Sequence, residues 1–271
     1  MTEKKKQIEN LLDEYRELLK KFEKWISLQT HLPQNNEPLV LLRYLCVCDY
    51  DLEKAKELLE INVKFRTKNS YVFTDRDMNS PELQKVINTV QVCPLPKLTK
   101  EHFHITVFRL INTNSTNFNV NETIKWIFMV LDTLHMKPVK INGDICIFDA
   151  KDFSLWHFFK LASNVSTVRI FMRYVQEAIA LRIVQNHFVN CSPVLTKIIA
   201  LIRPLMSKEL SETMHFHTTG FESMHEFIPK ELLPTEYNGT VGELNELYKQ
   251  SVSEMQDLRD YINNDDNFIC E

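Results

Sequence analysis

From Ile8 the apolar positions run Leu11, Leu12, Tyr15, Leu18, Leu19, Phe22, Trp25 and Ile26. Steps of three and four put them on one face of an amphipathic helix, which the spacing predicts to end near Leu28. His31-Leu32-Pro33 breaks the pattern. A short apolar helix then spans Leu39 to Cys46, and Asp49-Tyr50-Asp51 opens another with Leu52, Ala55, Leu58, Leu59 and Val63 on one side. Residues 1–75 therefore read as a small all-helical module.

Beyond the polar stretch from Asp75 to Pro81 the pattern changes to strands alternating with helices, the signature of an α/β layer. Strands are predicted over Ile105 to Ile111, Asp144 to Phe148, Leu181 to Val189 and Met214 to His217. Between them fall helices over Glu122 to Leu134, about Leu155 to Ala178, and Pro193 to Met206. Leu244 to Ile262 reads as a closing helix, so the expected division is 1–75, 76–243 and 244–271.

Composition narrows the function classes. The 271 residues include four glycines, Gly143, Gly220, Gly239 and Gly242, which cannot write a dinucleotide fingerprint or a phosphate-binding loop. A formal net charge of −4 gives no general attraction to nucleic acid or anionic lipid. The opening Met1-Thr2-Glu3-Lys4-Lys5-Lys6 leads into alternating apolar and charged residues, and no run approaches a membrane span, so a cytoplasmic protein is expected. Cys46, Cys48, Cys93, Cys146, Cys191 and Cys270 are scattered without a disulfide framework and read as reduced thiols.

Material for catalysis is thin. The pairs His102/His104 and His215/His217 sit in predicted strands, where residues two apart share a face, but no third or fourth metal ligand is nominated. Asp149 and Asp152 follow a buried strand, and Asp152 reads more simply as a helix cap. No nucleophile motif occurs, and neither an enzyme nor a metal site is expected. The chain instead has a surplus of apolar residues in Ile124 to Leu131, in Phe158 to Val175 and in Pro193 to Ile202. Helices apolar on more than one face are either covered twice or line a cavity, and periodicity leaves both open.

Several runs, in order, carry a resemblance: Leu42-Arg43-Tyr44-Leu45, Tyr50-Asp51-Leu52-Glu53-Lys54-Ala55-Lys56, Asn142-Gly143-Asp144-Ile145-Cys146-Ile147-Phe148-Asp149, His187-Phe188-Val189-Asn190, Arg203-Pro204-Leu205-Met206 and Leu233-Pro234-Thr235-Glu236-Tyr237-Asn238-Gly239. In these the chain resembles the CRAL-TRIO family of lipid-binding proteins. The resemblance implies a helical module followed by a mixed sheet that floors a hydrophobic pocket. A gate helix, here Pro193 to Met206, would close the pocket and open at a membrane.

Carried over by position, the ligand-binding residues would be Phe148, Phe171, Tyr174, Val175, Leu181, Ile183, Val194, Ile198 and Ile202. Trp126 and Val130 fall where polar residues meet the ligand in a family member. The implied ligand is one small hydrophobic molecule, such as a tocopherol, retinoid, carotenoid or similar lipid. Sealing about 400 Å² of its apolar surface would contribute on the order of 10 kcal/mol before binding costs. Arg182, Lys197, Arg203 and Lys208 are the implied contacts to a membrane surface or phosphoinositides, while Val184 and Thr213 replace basic residues of the family. The implied protein is a monomeric carrier, peripheral at membranes; the alternative is a phosphoinositide-responsive adaptor that delivers no lipid.

Overall fold

The computed structural model describes residues 3–34, 37–137 and 140–269; Met1, Thr2 and Cys270 of the sequence reading lie outside them. The expected first helix is two, α1 (Glu3–Glu14) and α2 (Arg16–Ile26), broken at Tyr15, whose ring stacks on Tyr50 at 4.6 Å. α2 buries Leu19, Phe22 and Ile26. α3 (Pro38–Val47) starts with proline in its first turn, where the missing N–H has no helical partner to lose. α4 (Leu52–Lys68) is capped by Asp51, whose carboxylate accepts from the Glu53 and Lys54 amides.

Three short elements escaped the sequence pattern, among them a helix over Lys208–Glu212. α5 (Pro81–Ile87) is short and capped by the Ser80 hydroxyl. β1 (Val90–Pro94) is buried along its whole length, Gln91 included. β1 pairs antiparallel with β2 (Phe103–Leu110), and β2, β3 (Gly143–Asp149), β4 (Ile183–Val189) and β5 (Met214–Phe216) follow in parallel. Spatial order equals chain order across the five strands. α6 (Val120–His135) crosses from β2 to β3, and its start is fixed by Asn119, which accepts from the Asn121 and Glu122 amides.

The single long helix expected from Leu155 to Ala178 is interrupted. Asn164 leaves helical geometry and its side-chain amide donates to the Lys160 carbonyl at 2.8 Å. This competition with the helix ladder yields α7 (Leu155–Ser163) and α8 (Val165–Glu177). Ser154 and His157, not Asp152, form the cap of α7. α9 (Pro193–Ile202) is shorter than its predicted range, because the chain tightens to a 3₁₀ turn over Arg203–Leu205 around Pro204. α10 (Lys208–Glu212) leads into β5, and the closing helix divides into α11 (Leu244–Asp257) and α12 (Arg259–Asn263).

Buried ion pairs tie the helical module to the α/β layer. Arg66 and Arg76 converge on Asp132 of α6 at 2.5 and 2.8 Å, and Phe268 of the C-terminal segment covers both guanidiniums. Burial alone would raise the Asp132 carboxyl, but the two arginines hold it below its ordinary range. Gly239 closes the polypeptide against Leu233: a Cβ there would stand 1.9 Å from the Leu233 carbonyl oxygen.

Candidate functional site

One face of the sheet carries a ladder of phenylalanines in register. Phe108, Phe148, Phe188 and Phe216 stack from strand to strand at centroid distances of 4.7, 5.0 and 5.0 Å. The first three form the floor of a cavity of about 260 Å³, walled by α6 and α8 and covered by α9. The lining is overwhelmingly apolar.

Helical spacing explains which side chains reach it. α6 presents Val120, Thr123, Ile124, Ile127, Leu131 and Leu134; α8 presents Val168, Phe171, Met172 and Val175; α9 presents Leu195, Ile198, Ile199 and Ile202. Each set follows the three-and-four rule of one helix face. Of the residues named from sequence, Phe148, Phe171, Val175, Leu181, Ile183, Ile198 and Ile202 all line the cavity.

Four do not. Trp126 and Val130 lie to one side of the α6 stripe and pack fully into the core. Tyr174 faces α4, because a buried phenol needs polar partners and finds them in Asn62, at 3.1 Å, and Arg66. Val194 falls off the α9 stripe. Sequence reasoning missed Phe108 and Phe188; the recurrence of phenylalanine in four successive strands was the available signal.

The four basic residues have different surroundings. Arg182 donates to the Val47 carbonyl and to Asp49, both at 2.7 Å, and so braces the helical module. Lys208 lies 3.7 Å from Glu212 of its own helix. Lys197 and Arg203 stand exposed on and just after α9. Beside α9, α7 exposes Leu155 (46%), Trp156 (69%) and Phe159 (53%), a hydrophobic patch of which the sequence reading named only Phe159, among residues expected to be core or cavity lining.

A model described as the CRAL/TRIO domain matches residues 88–239, more than half of the chain. The chain belongs to the CRAL/TRIO family. A second model, described as Pinta-like, UBA domain, matches residues 11–83. Among curated CRAL/TRIO relatives, mouse alpha-tocopherol transfer protein-like is 25% identical over 216 residues, 79% of this chain and 62% of the relative. The human counterpart is 26% identical over 76% of this chain and 59% of its own, and human clavesin-2 is 23% identical over 73% and 61%. The chain thus spans about three-fifths of the length of these relatives. The crystal structure of Sfh5 shares the fold, with a TM-score of 0.53 at 13% identity, covering 95% of this chain and 98% of that one.

Within this CRAL/TRIO fold the other candidate groups have structural partners. His102 adopts a positive φ of 63° ahead of β2, so it does not share a strand face with the buried His104. His215 and His217 stack on His187 at 5.0 and 5.2 Å, and burial pushes His187 down to about 3. Asp149 accepts from Asn190, Tyr237 and the Lys151 amide. Cys46, Cys48, Cys93, Cys146 and Cys191 are free, and burial raises each of these thiols. Among the described residues no group of three or more His, Cys, Asp or Glu could hold a metal ion, and no helix is long and apolar enough to cross a membrane.

Proposed function

We propose that this protein binds one small hydrophobic lipid in the cavity beneath α9 and exchanges it at membrane surfaces, with no catalytic step. The observation that carries the reading is the apolar cavity itself. With an overwhelmingly apolar lining, the cavity of about 260 Å³ offers water few hydrogen-bond partners. A lipid that fills it restores the missing contacts and is retained without ionic anchoring.

Residues 76–243 would be the lipid-binding domain, with 1–75 as a supporting module and 244–271 as a brace. α9 is the proposed gate, since its inner stripe of Leu195, Ile198, Ile199 and Ile202 covers the cavity, and the exposed α7 patch beside it is the proposed membrane contact. Aromatic side chains that are half apolar and half polar favour the lipid–water boundary. The names of the transfer-protein relatives support the same reading, which places the protein in the cytoplasm, peripheral at membranes.

Native mass spectrometry and solvent extraction of the purified protein test it, together with melting temperature against a panel of tocopherols, retinoids, carotenoids and sterols. A bound lipid and a concentration-dependent rise in melting temperature are expected, because binding to the native state alone must stabilise it. No co-purified lipid and an unchanged melting temperature with every lipid would overturn the reading.

A further inference from the structure

α9 is held at its two ends in different ways. At its first turn the buried Leu195 packs with Phe188 and Ala150, and Cys191, just ahead of the helix, joins that cluster and donates from Sγ to the Phe188 carbonyl at 3.2 Å. At the far end Ile202, Leu205 and Met206 are only half-buried. Pro204 has no N–H to give, so the helix ladder is interrupted there as well.

One side chain of α8 holds that far end. The Gln176 carboxamide donates to the Leu205 carbonyl at 3.0 Å and to the Met172 carbonyl of its own helix, and its oxygen accepts from the Ser207 amide at 2.6 Å. The amide's nitrogen and oxygen are thus both engaged. Among the described residues, the Leu205 and Ser207 bonds are the only hydrogen bonds from residues 193–212 to anything beyond their immediate neighbours Ser192 and Thr213. The one ion pair of this stretch among the described residues, Lys208 with Glu212, is internal to it.

We infer that Gln176 is the latch of the gate: α9 swings about its packed first turn, and the Gln176 carboxamide, by holding residues 205–207 against α8, sets how often the cavity opens. This rests on the lipid-carrier reading of α9 as a gate and deepens it by naming the residue that regulates opening. Gln176 does not line the cavity, although Met172 and Val175 of the same helix do, so it acts on ligand exchange through the position of α9. Two hydrogen bonds, each of modest net strength, suit a latch that must release without unfolding the helix. An amide is uncharged, so release depends little on salt.

The protein's own cysteines are reporters that need no lipid. Cys146 lines the cavity, Cys191 sits at the pivot end, and Cys93 is fully buried in β1 away from the cavity lining. In the intact protein, stripped of lipid on a hydrophobic resin, alkylation by N-ethylmaleimide is timed at each cysteine by peptide mass spectrometry. In Q176A, Cys146 should react about tenfold faster than in wild type, the scale of two lost hydrogen bonds, while Cys191 and Cys93 keep their wild-type rates. The ratio at Cys146 should be the same in low and high salt. Q176E keeps an acceptor for Ser207 but, when ionised, has no donor for Leu205, so an increase of about threefold at Cys146 is expected.

An unchanged Cys146 rate in Q176A would overturn the inference. So would a parallel rise at Cys93, which marks general loosening, or at Cys191, which puts the pivot elsewhere. Should Q176A fail to fold, Q176E decides: faster labelling at Cys146 alone is expected, and a wild-type rate overturns the latch. None of these outcomes depends on a bound lipid, so extraction of the purified protein judges the carrier reading separately.

Discussion

Arg43 Nη2 of α3 lies 2.6 Å from Asp144 Oδ2 of β3, both side chains almost wholly buried, so that one ion pair joins the helical module to the cavity floor. Removing one partner strands a charge in the interior. Arg43→Met is therefore expected to lower stability by about 3–5 kcal/mol in urea unfolding. Arg43→Met/Asp144→Leu should recover a large part of that loss, because two apolar residues leave no orphaned charge. A single variant within 1 kcal/mol of wild type would contradict the expectation.

Ile202 lines the cavity from the end of α9 and is half-buried. Ile202→Asp puts a carboxylate against the ligand, which is costly unless the helix swings outward to hydrate it. Lipid retention should fall below detection in the purified protein, while far-UV circular dichroism and cooperative unfolding persist. Global unfolding of this variant would identify α9 as ordinary core.

The α7 patch makes a separate prediction. Trp156→Ser and Phe159→Ser remove exposed side chains, so the fold should keep its melting temperature to within a degree or two. Binding to phosphatidylcholine vesicles should weaken by about tenfold for each, the scale of burying one aromatic side chain. Arg182→Ala should leave vesicle binding unchanged, because that guanidinium is engaged by Val47 and Asp49. Sedimentation with vesicles distinguishes these outcomes.

Acid should destabilise the fold before its carboxylates titrate. Burial pushes His135 and His187 down to about 3, against about 6.5 in an unfolded chain. Between those limits the unfolded state takes up protons that the folded state excludes, so stability is full above about 6.5 and is lost as pH falls. Each histidine contributes a slope approaching about 1.4 kcal/mol per pH unit. Urea midpoints measured from pH 7 to pH 5 should decline steadily; a flat profile would show that the rings are accessible.

Local order along the chain determined most of the elements. Three-and-four spacing placed α2, α4 and α6, and Asp51 marked the start of α4, since these interactions link residues within one turn, whereas the Asn119 cap that starts α6 two residues before the expected Glu122 went unread. The motif around Asn142 to Asp149 carried the family, and the apolar excess of α6, α8 and α9 left a choice between core and cavity. That choice was tertiary. Whether Phe171 or Tyr174 faces the cavity depends on Asn62 and Arg66, more than a hundred residues away, which draw the phenol to the opposite side. The buried Asp144 likewise meets its partner Arg43 only through the tertiary fold, about a hundred residues apart in the chain. Periodicity can say that a helix has two apolar faces. Only packing against distant polar partners decides which face meets protein and which meets an opening.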